Sequence, residues 1–464
     1  MKNLISVLIA FATVLSGSAL AENADWQTRL ARERGFEAVI WAMPAVSMMA
    51  LRDAYFGLGG GYNTIYYLTK PPTALQEALT ANNQTPYASV LLTARQGPVV
   101  LDIPPASKRT VIFGSATDVW QVPVADIGPA GLDKGKGGKY LFLPPGYKGK
   151  APKGFLPIQL ELYDVFVALR LIPLGDTRFG AAAEYAKKIN AYPLNQGDSA
   201  LAGKYIDISG KHLPTLPTYD VDFFVKIDKL IQDEPLLERD KVMGGMLTSL
   251  GIQKGMAFKP DLALKKVLNE AAKDGYAYLE YLFETPGYST EVYWKGTQWL
   301  GIRQPSKDGF VYDEGDTLLL DERGSLFHWG TFVPRQLGKA SAYLLSMRDA
   351  KGKLLSGKGA YQLRVPAKVP ARDFWSVIAY SKKTKAFIYN DIERVGLSSY
   401  DKKSLKMNSD GSVDIYFGKA APRGLESNWI PTAGEDFFLL FRLYGPEDPF
   451  FDKSFKLTDV ERIN

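Results

Sequence analysis

The spacing of apolar positions divides the chain into alternating helical and strand-like regions. Residues 26–51 carry apolar side chains at helical intervals, so the pattern predicts a helix over this range. Pro44 lies inside this range and is expected to kink or end the helix, because proline lacks an amide hydrogen. Residues 62–174 change to short runs of Val, Ile, Leu and aromatic residues bounded by Pro and Gly, which is typical of strands.

Helical spacing returns in residues 179–283, and strand-like runs resume near Tyr288 and continue through FFLLFRLY at 437–444. The predicted fold class is therefore β-rich α+β. It comprises two antiparallel β-sandwich or jelly-roll-like domains, with an N-terminal helix and an intervening helical segment. The predicted boundaries are 1–21 for a signal peptide, 22–178 for the N-terminal helix and first β domain, 179–287 for the helical connecting segment, and 288–464 for the second β domain.

The first residues have the pattern of a cleaved export signal. A short basic start at 1–3 precedes an apolar run at 4–15, and Ala19 and Ala21 supply the small residues that signal peptidase requires. An uncleaved anchor is disfavoured, because about twelve apolar residues are too few for a membrane core that needs about 20. We expect cleavage after Ala21, a periplasmic or secreted protein, and no membrane span in the mature chain.

Composition indicates a folded protein held together by packing alone. Hydrophobic residues make up 46% of the chain, and there is no Cys to form the disulfides that an oxidising compartment permits. The formal net charge of +6 is modest and its basic residues are scattered among acids, so nucleic acid is not an expected partner. The densest basic cluster, at 382–385, is expected to be a solvated turn.

Several common kinds of catalytic site are excluded by residue type. His212 and His328 are the two histidines of the chain and are far apart, so the sequence contains neither HExxH nor a three-histidine site, and no metal ligands are predicted. No Cys nucleophile, GxSxG elbow or Walker motif is present. We expect His328, between Phe327 and Trp329, to be packed in the interior.

A run of acids is the candidate for catalysis. Two of its carboxylates would serve as acid and base in glycoside cleavage if they lay about 5 to 9 Å apart. The alternatives are an acidic hairpin in solvent, or a calcium site, since Ca²⁺ prefers such oxygens. No cofactor is otherwise predicted. The catalytic candidates are Asp313, Glu314, Asp316, Asp321 and Glu322.

Amide, aromatic and arginine side chains are the candidates for ligand binding. On the strand 374–380, Trp375 and Val377 share a face, whereas Tyr380 points to the opposite one. The ligand-binding candidates are Asn83, Tyr87, Trp375, Tyr380, Asn390, Arg394 and Arg442.

Arg442 is a charge inside the otherwise apolar strand FFLLFRLY. Burying it costs several kcal/mol unless it is paired, so we expect an acidic or carbonyl partner, with Asp414 and Asp436 as candidates. Arg442→Met is accordingly expected to lower folding stability while the partner acid remains.

The order of several motifs resembles that of a family of exported bacterial proteins. In the first half these are NNQTPYASVLL at 82–92, GPVVLDIPP at 97–105 and DVWQVPVADIGPAGLDKGKGGKYLFLPPGYKG at 118–149. In the second half these are FWSVIAY at 374–380, YNDIER at 389–394, NSDGSVDIYFG at 408–418, NWIP at 428–431 and FFLLFRLYGPEDPF at 437–450. In that family a domain of unknown function 1254 precedes a domain of unknown function 1214. The resemblance implies the fold and the export, but no reaction.

The residues leave two functions open. In the first, the chain is a cell-envelope protein whose β domains bind a small molecule or saccharide in a cleft. In the second, it is a periplasmic hydrolase that uses paired carboxylates or a carboxylate-bound metal ion. Convergence of the candidates on one pocket with two close carboxylates would favour the enzyme.

Overall fold

The computed structural model describes residues 2–107, 110–173, 178–200, 203–304, 311–331 and 341–463. Residues in contact group into two compact units. The first, the helical unit, comprises Met1–Ala42 and Thr218–Leu279, and the second, the β-rich unit, comprises Met43–Pro217 and Glu280–Asn464.

The chain begins with one long helix, α1 (Lys2–Gly57). Pro44 lies inside this helix and does not end it. The helix continues to Gly57, beyond the predicted end at Leu51. Residues on both sides of Pro44 are buried, and their packing outweighs the roughly 3 kcal/mol that an interior proline costs. The helix ends where Gly59 adopts a φ of 82°, a left-handed conformation that glycine tolerates.

The first sandwich follows in the β-rich unit. Its elements are β1 (Thr64–Tyr67), β2 (Gln76–Glu77), β3 (Tyr87–Thr93), β4 (Val99–Ile103), β5 (Thr110–Asp118), β6 (Pro123–Ile127), β7 (Gly138–Leu143), β8 (Phe155–Gln159), β9 (Asp164–Pro173), α2 (Arg178–Ala186), β10 (Asn190–Pro193), β11 (Lys204–Asp207) and β12 (Leu213–Pro214). A six-stranded sheet has the order β11-β1-β3-β9-β5-β6, and a four-stranded sheet has the order β10-β4-β7-β8. Apolar side chains from both sheets form one core between them.

The helical unit contains α3 (Val221–Asp233), α4 (Lys241–Thr248) and part of α5 (Leu262–Glu284). The side chain of Asp220 caps the start of α3 by accepting from the Asp222 amide. Within the unit, Gly35 of α1 lets the backbone approach α5, because a Cβ there would lie 2.9 Å from Ala271. Tight helix packing therefore builds the unit.

The second sandwich completes the β-rich unit. Its elements are β13 (Thr290–Val292), β14 (Trp299–Ile302), β15 (Asp313–Glu314), β16 (Thr317–Leu318), α6 (Leu320–Trp329), β17 (Ser341–Ser346), β18 (Tyr361–Val365), β19 (Ala371–Ser381), β20 (Gly396–Ser398), β21 (Val413–Gly418), β22 (Trp429–Pro431), β23 (Phe437–Pro446), α7 (Asp448–Phe451) and β24 (Glu461–Arg462). Its sheets have the orders β13-β14-β17-β23-β19-β20 and β22-β21-β18-β24, and they share a second core.

Strand pairing is mainly antiparallel, which confirms the predicted fold class of two β-sandwich domains with an N-terminal helix. Both six-stranded sheets are unusual in having two buried faces. In β23, for example, Leu439 and Phe441 belong to the sandwich core, whereas Leu440 and Arg442 alternate with them and are also buried.

Candidate functional site

A cavity of about 280 Å³ lies against the second face of both large sheets, within the β-rich unit. Its aliphatic wall residues are Leu51, Leu68, Leu79, Ile127, Ile208, Leu213, Ile302, Leu326 and Leu440. Aromatic rings and polar side chains complete it. A concave and largely apolar wall with convergent polar groups is the usual character of a small-molecule site.

Arg170 is the charged arginine that the first large sheet contributes to the cavity wall. On β9 it pairs with Tyr87 of β3 and Phe113 of β5, so its guanidinium lies 5.8 Å from the centroid of each ring. Nε donates to the Tyr87 hydroxyl at 3.1 Å, and Nη2 donates to the Tyr343 hydroxyl at 2.9 Å. The side chain is half-buried, and Arg170 lines the cavity.

Arg442 occupies the corresponding place in the second sheet. On β23 it pairs with Tyr343 of β17 and Ser376 of β19, and it is 3% exposed. Its Nη2 donates to the Thr80 carbonyl at 2.8 Å. Nη1 is buried and has no hydrogen-bond partner among the described residues.

Neither arginine has a carboxylate partner in the part of the chain that the structure describes. The groups that interact with them electrostatically are tyrosines, and these hold both arginine pKa values above the ordinary range although burial acts to lower them. Both side chains therefore remain charged. A buried charge without a counter-charge is costly.

The predicted acidic partners of Arg442 are wrong. Asp414 instead accepts two hydrogen bonds from Arg364, at 2.8 and 3.0 Å, and Asp436 accepts from the Gly357 amide at 3.0 Å. The carbonyl alternative is correct, through Thr80. A charge inside a strand thus predicted the burial but not the identity of the partner.

Tyr343 lies between the two guanidiniums. Burial alone would raise the pKa of Tyr343, but the charges of Arg170 and Arg442 and a hydrogen bond from Ser341 outweigh it and lower the pKa. Its oxygen accepts from both Arg170 and Ser341, each at 2.9 Å. The Tyr343 hydroxyl is therefore more acidic than an ordinary phenol. Its own hydrogen remains available to a ligand in the cavity.

The NNQTPY motif at 82–87 forms hydrogen bonds to residues of the second sandwich. Asn82 donates to the Tyr444 hydroxyl at 2.6 Å, and Gln84 accepts from the Ser398 hydroxyl at 3.0 Å. These bonds place the Thr80 and Ala81 carbonyls against Arg442. The motif is thus a connector between the sandwiches and positions the arginine.

The structure brings some of the predicted ligand-binding residues together. Tyr87 and Arg442 line the cavity, and the ring of Tyr380 lies 5.5 Å from the Arg442 guanidinium. Asn83 does not line it, although the adjacent Asn82 does. Its amide oxygen instead accepts from the Gln84 side chain.

The remaining three lie away from the cavity. Trp375 stacks on Phe441 inside the second sandwich, on the face opposite to Tyr380 as the strand pattern predicted. Asn390 donates to the carbonyls of Ile388 and Arg394, and Arg394 donates to the Trp429 carbonyl. These contacts shape a loop.

The five acidic candidates do not line the cavity. Asp313, Glu314 and Asp316 are exposed on the β15–β16 hairpin, and Glu322 lies 3.6 Å from Arg303. Among the described residues, no group of three or more His, Asp or Glu side chains has the arrangement of a metal site.

A buried charge cluster lies beside the cavity. His328 and Lys385 both contact Glu280, the histidine Nε2 at 2.7 Å from its Oε1. His328 is packed, as expected, but the prediction of a solvated turn is wrong for Lys385, which is 1% exposed. Burial of the turn is possible because Glu280 supplies a counter-charge.

The charge cluster has displaced pKa values. Burial alone would raise the pKa of Glu280, but the His328 hydrogen bond and the Lys385 charge lower it to about 2. Burial lowers the pKa of His328 and that of Lys385. The cluster joins the cavity wall through the backbone, because the Thr80 amide donates to the Lys385 carbonyl and the Thr80 hydroxyl to the Trp329 carbonyl.

Sequence reasoning missed Arg170 and Tyr343. The signal for Arg170 was available, because DVFVALRLIP places a charge inside an apolar strand just as FFLLFRLY does. Tyr343 had no comparable signal, since tyrosine is an ordinary strand residue.

The fold and the cavity define a two-sandwich β protein with two arginines at an internal apolar cavity. Residues 62–193 match the family described as protein of unknown function (DUF1254), and residues 340–448 match the family described as protein of unknown function (DUF1214). The chain belongs to the family in which the first of these domains precedes the second.

Two solved structures are similar to the whole chain. The VPA0106 protein from Vibrio parahaemolyticus is 17% identical, with a TM-score of 0.55, over 94% of this chain and 100% of its own. An uncharacterised protein from Burkholderia cenocepacia is 12% identical, with a TM-score of 0.39, over 97% of this chain and 96% of its own. The first likeness shows the fold alone. No curated protein matches the chain.

Proposed function

We propose that this chain is an exported protein that binds a small anionic molecule with an apolar body in the cavity between its two large sheets. One observation carries the proposal: Arg170 and Arg442 lie in the wall of a largely apolar cavity, and the groups that interact with them are tyrosines rather than carboxylates. A carboxylate is the anion that fits best, because guanidinium donors match its two oxygens.

The unsatisfied Nη1 of Arg442 supports an anion rather than a neutral ligand. A buried donor without an acceptor costs about 1 to 3 kcal/mol, and more when it is charged. A carboxylate in the cavity would lie beside the charged Arg442 side chain and would accept from the Tyr343 hydroxyl. The exposed surface of the wall is mainly apolar, which fits an amphipathic acid better than a saccharide.

The hydrolase alternative has less support. Glycoside cleavage requires two carboxylates on either side of the substrate bond, and the five acidic candidates lie outside the cavity. The lack of convergence favours binding over hydrolysis.

Export is the second part of the proposal. It rests on the basic start, the apolar run and Ala19-Leu20-Ala21. Among the described residues, no helix is long and apolar enough to span a membrane. A mature protein beginning at Glu22 would meet its ligand in the periplasm or outside the cell.

Calorimetric titration with octanoate and with octan-1-ol tests the site, because the two probes share a chain length and differ in charge. We expect the acid to bind at least about tenfold more tightly than the alcohol, since hydrogen bonds to charged groups contribute about 1.5 to 3 kcal/mol. Arg442→Met and Arg170→Met should each abolish that preference. Arg372→Met is the matched control, because Arg372 is exposed and pairs with the adjacent Asp373. Equal binding of both probes, or an acid preference that survives both cavity variants, would refute the proposal.

A further inference from the structure

Asp126 is a carboxylate in the wall of the same cavity, on a different part of the first large sheet from Arg170. Its Oδ1 accepts from the Ser115 hydroxyl at 2.9 Å, and Ser115 also lines the cavity. No lysine or arginine among the described residues forms an ion pair with Asp126. The cavity wall therefore carries a hydrogen-bond acceptor as well as two cations, and much of the remaining wall is apolar.

The strand register fixes the separation of these groups. Arg170 pairs with Phe113, whereas Asp126 pairs with Ser115, two residues further along β5. Asp126 lies two strands from Arg170, since β9, β5 and β6 are neighbours. With strands about 4.8 Å apart and same-face neighbours about 6.8 Å apart, the two Cα atoms are about 12 Å from each other.

We propose that the ligand is bifunctional: a carboxylic acid that carries a hydrogen-bond donor, a hydroxyl or an ammonium, at the other end of an apolar chain. The carboxylate contacts Arg442 and Arg170, and the distal donor contacts Asp126. This inference rests on the proposed function and specifies the class of ligand for that site.

Cavity size limits the length of such a ligand. A volume of about 280 Å³ is close to the lower end of the range of about 300 to 1,000 Å³ that is usual for small-molecule sites. The cavity therefore suits a small ligand, such as an eight-carbon acid with one terminal polar group.

Calorimetric titration with octanoate, 8-hydroxyoctanoate and 8-aminooctanoate tests the inference on the full chain. We expect one or both of the bifunctional acids to bind at least about tenfold more tightly than octanoate. Preference for the hydroxy acid identifies a neutral donor, and preference for the amino acid identifies a cation. Both results support a distal donor. Equal affinity for the three probes in the wild-type protein would overturn the inference.

Variants of Asp126 locate the contact. Asp126→Ala should remove the preference while octanoate affinity changes less than about threefold, and Asp126→Asn should remove a preference for the amine but keep part of one for the hydroxyl. Ser115→Ala, which leaves the carboxylate in place, should keep the preference. Asp373→Asn is the control, because Asp373 pairs with Arg372 on the exposed surface.

The two proposals fail differently. Octanoate binding that is unaffected by Arg442→Met refutes the anion site, whatever Asp126 does. Octanoate binding that needs Arg442, combined with a terminal-group preference that survives Asp126→Ala, refutes the bifunctional ligand alone. Loss of all octanoate binding in Asp126→Ala, with an unchanged melting temperature, would also contradict a purely distal role for Asp126.

Discussion

The two cavity arginines show that the burial of a residue can be predicted from its sequence context, whereas its partner cannot. A charge within an apolar strand indicates burial, and that argument identified Arg442 and applies equally to Arg170. The partner was beyond such reasoning, because Thr80 is 362 positions away from Arg442 and meets it only through tertiary packing. Asp414 and Asp436 have the right chemistry to pair with Arg442, but they bind Arg364 and the Gly357 amide instead.

The lack of an acidic partner reverses the expected effect of Arg442→Met on stability. With no carboxylate left behind, exchanging a buried charge for an apolar side chain should raise the free energy of unfolding of ligand-stripped protein by about 1 to 3 kcal/mol. Urea titration followed by tryptophan fluorescence measures the change.

Arg442→Lys serves as the control, because it keeps the charge and should bring no gain in stability. A loss of about 3 kcal/mol or more in Arg442→Met would contradict the expected gain in stability. The same variant should bind octanoate no more tightly than octan-1-ol, so stability and octanoate affinity are expected to change in opposite directions.

Glu280 predicts acid sensitivity. Its pKa is about 2 in the folded protein and ordinarily about 4.5, so the folded state binds fewer protons between these values. The stabilisation, about 3 kcal/mol, is complete above pH 4.5 and is lost as the pH falls toward 2. His328, whose pKa burial lowers below 6.5, adds a loss that begins as the pH falls through 6.5.

Glu280→Gln should remove the part of this pH dependence below pH 4.5. At pH 7 it should also cost about 3 to 5 kcal/mol, because it leaves Lys385 buried without a counter-charge. Urea midpoints at about pH 7, 4.5 and 3 give both effects. Glu238→Gln, in an exposed pair with Lys241, should change none of them by more than about 0.5 kcal/mol. A pH profile in Glu280→Gln equal to that of the wild type would contradict the assignment.

At the scale of the elements, periodicity predicted what local sequence controls. Residue spacing predicted the two β regions and the helical region between them. It also predicted the strand 374–380, with Trp375 and Tyr380 on opposite faces. Periodicity could not predict which strands have both faces buried. FFLLFRLY is apolar on both faces because one covers the sandwich core and the other the cavity, and only tertiary packing separates them.

Gly114 tests how closely the strands of the cavity wall approach. A Cβ at this position on β5 would lie 2.0 Å from the Ala168 carbonyl oxygen of β9, and backbone cannot move aside without opening the sheet. Gly114→Ala should therefore cost about 2 to 3 kcal/mol of folding stability, measured by chemical denaturation. The control is Gly245→Ala, where a Cβ on α4 meets nothing within 4 Å, and stability should rise by about 0.5 to 1 kcal/mol. Equal small effects would show that the sheet adapts.

At the scale of the whole molecule, location is the property that the N-terminal sequence predicts. Expression in a Gram-negative host followed by intact mass spectrometry should give a mature chain beginning at Glu22, recovered from the periplasmic fraction. Changing both Ala19 and Ala21 to Arg should block processing. An N-terminus at Met1 in wild-type protein would contradict export by this signal.

Because the second face of each large sheet lies against the cavity, neither sandwich can be separated from the other without exposing apolar side chains of that face. A fragment limited to residues 43–217 would present Arg170, Phe113 and their neighbours to solvent, and one limited to 280–464 would present Arg442 and Leu440. Faces of this kind drive aggregation. Each half expressed alone should be insoluble, whereas co-expression of the two halves should restore the solubility of both. The presence of both domains in one chain therefore has a physical reason.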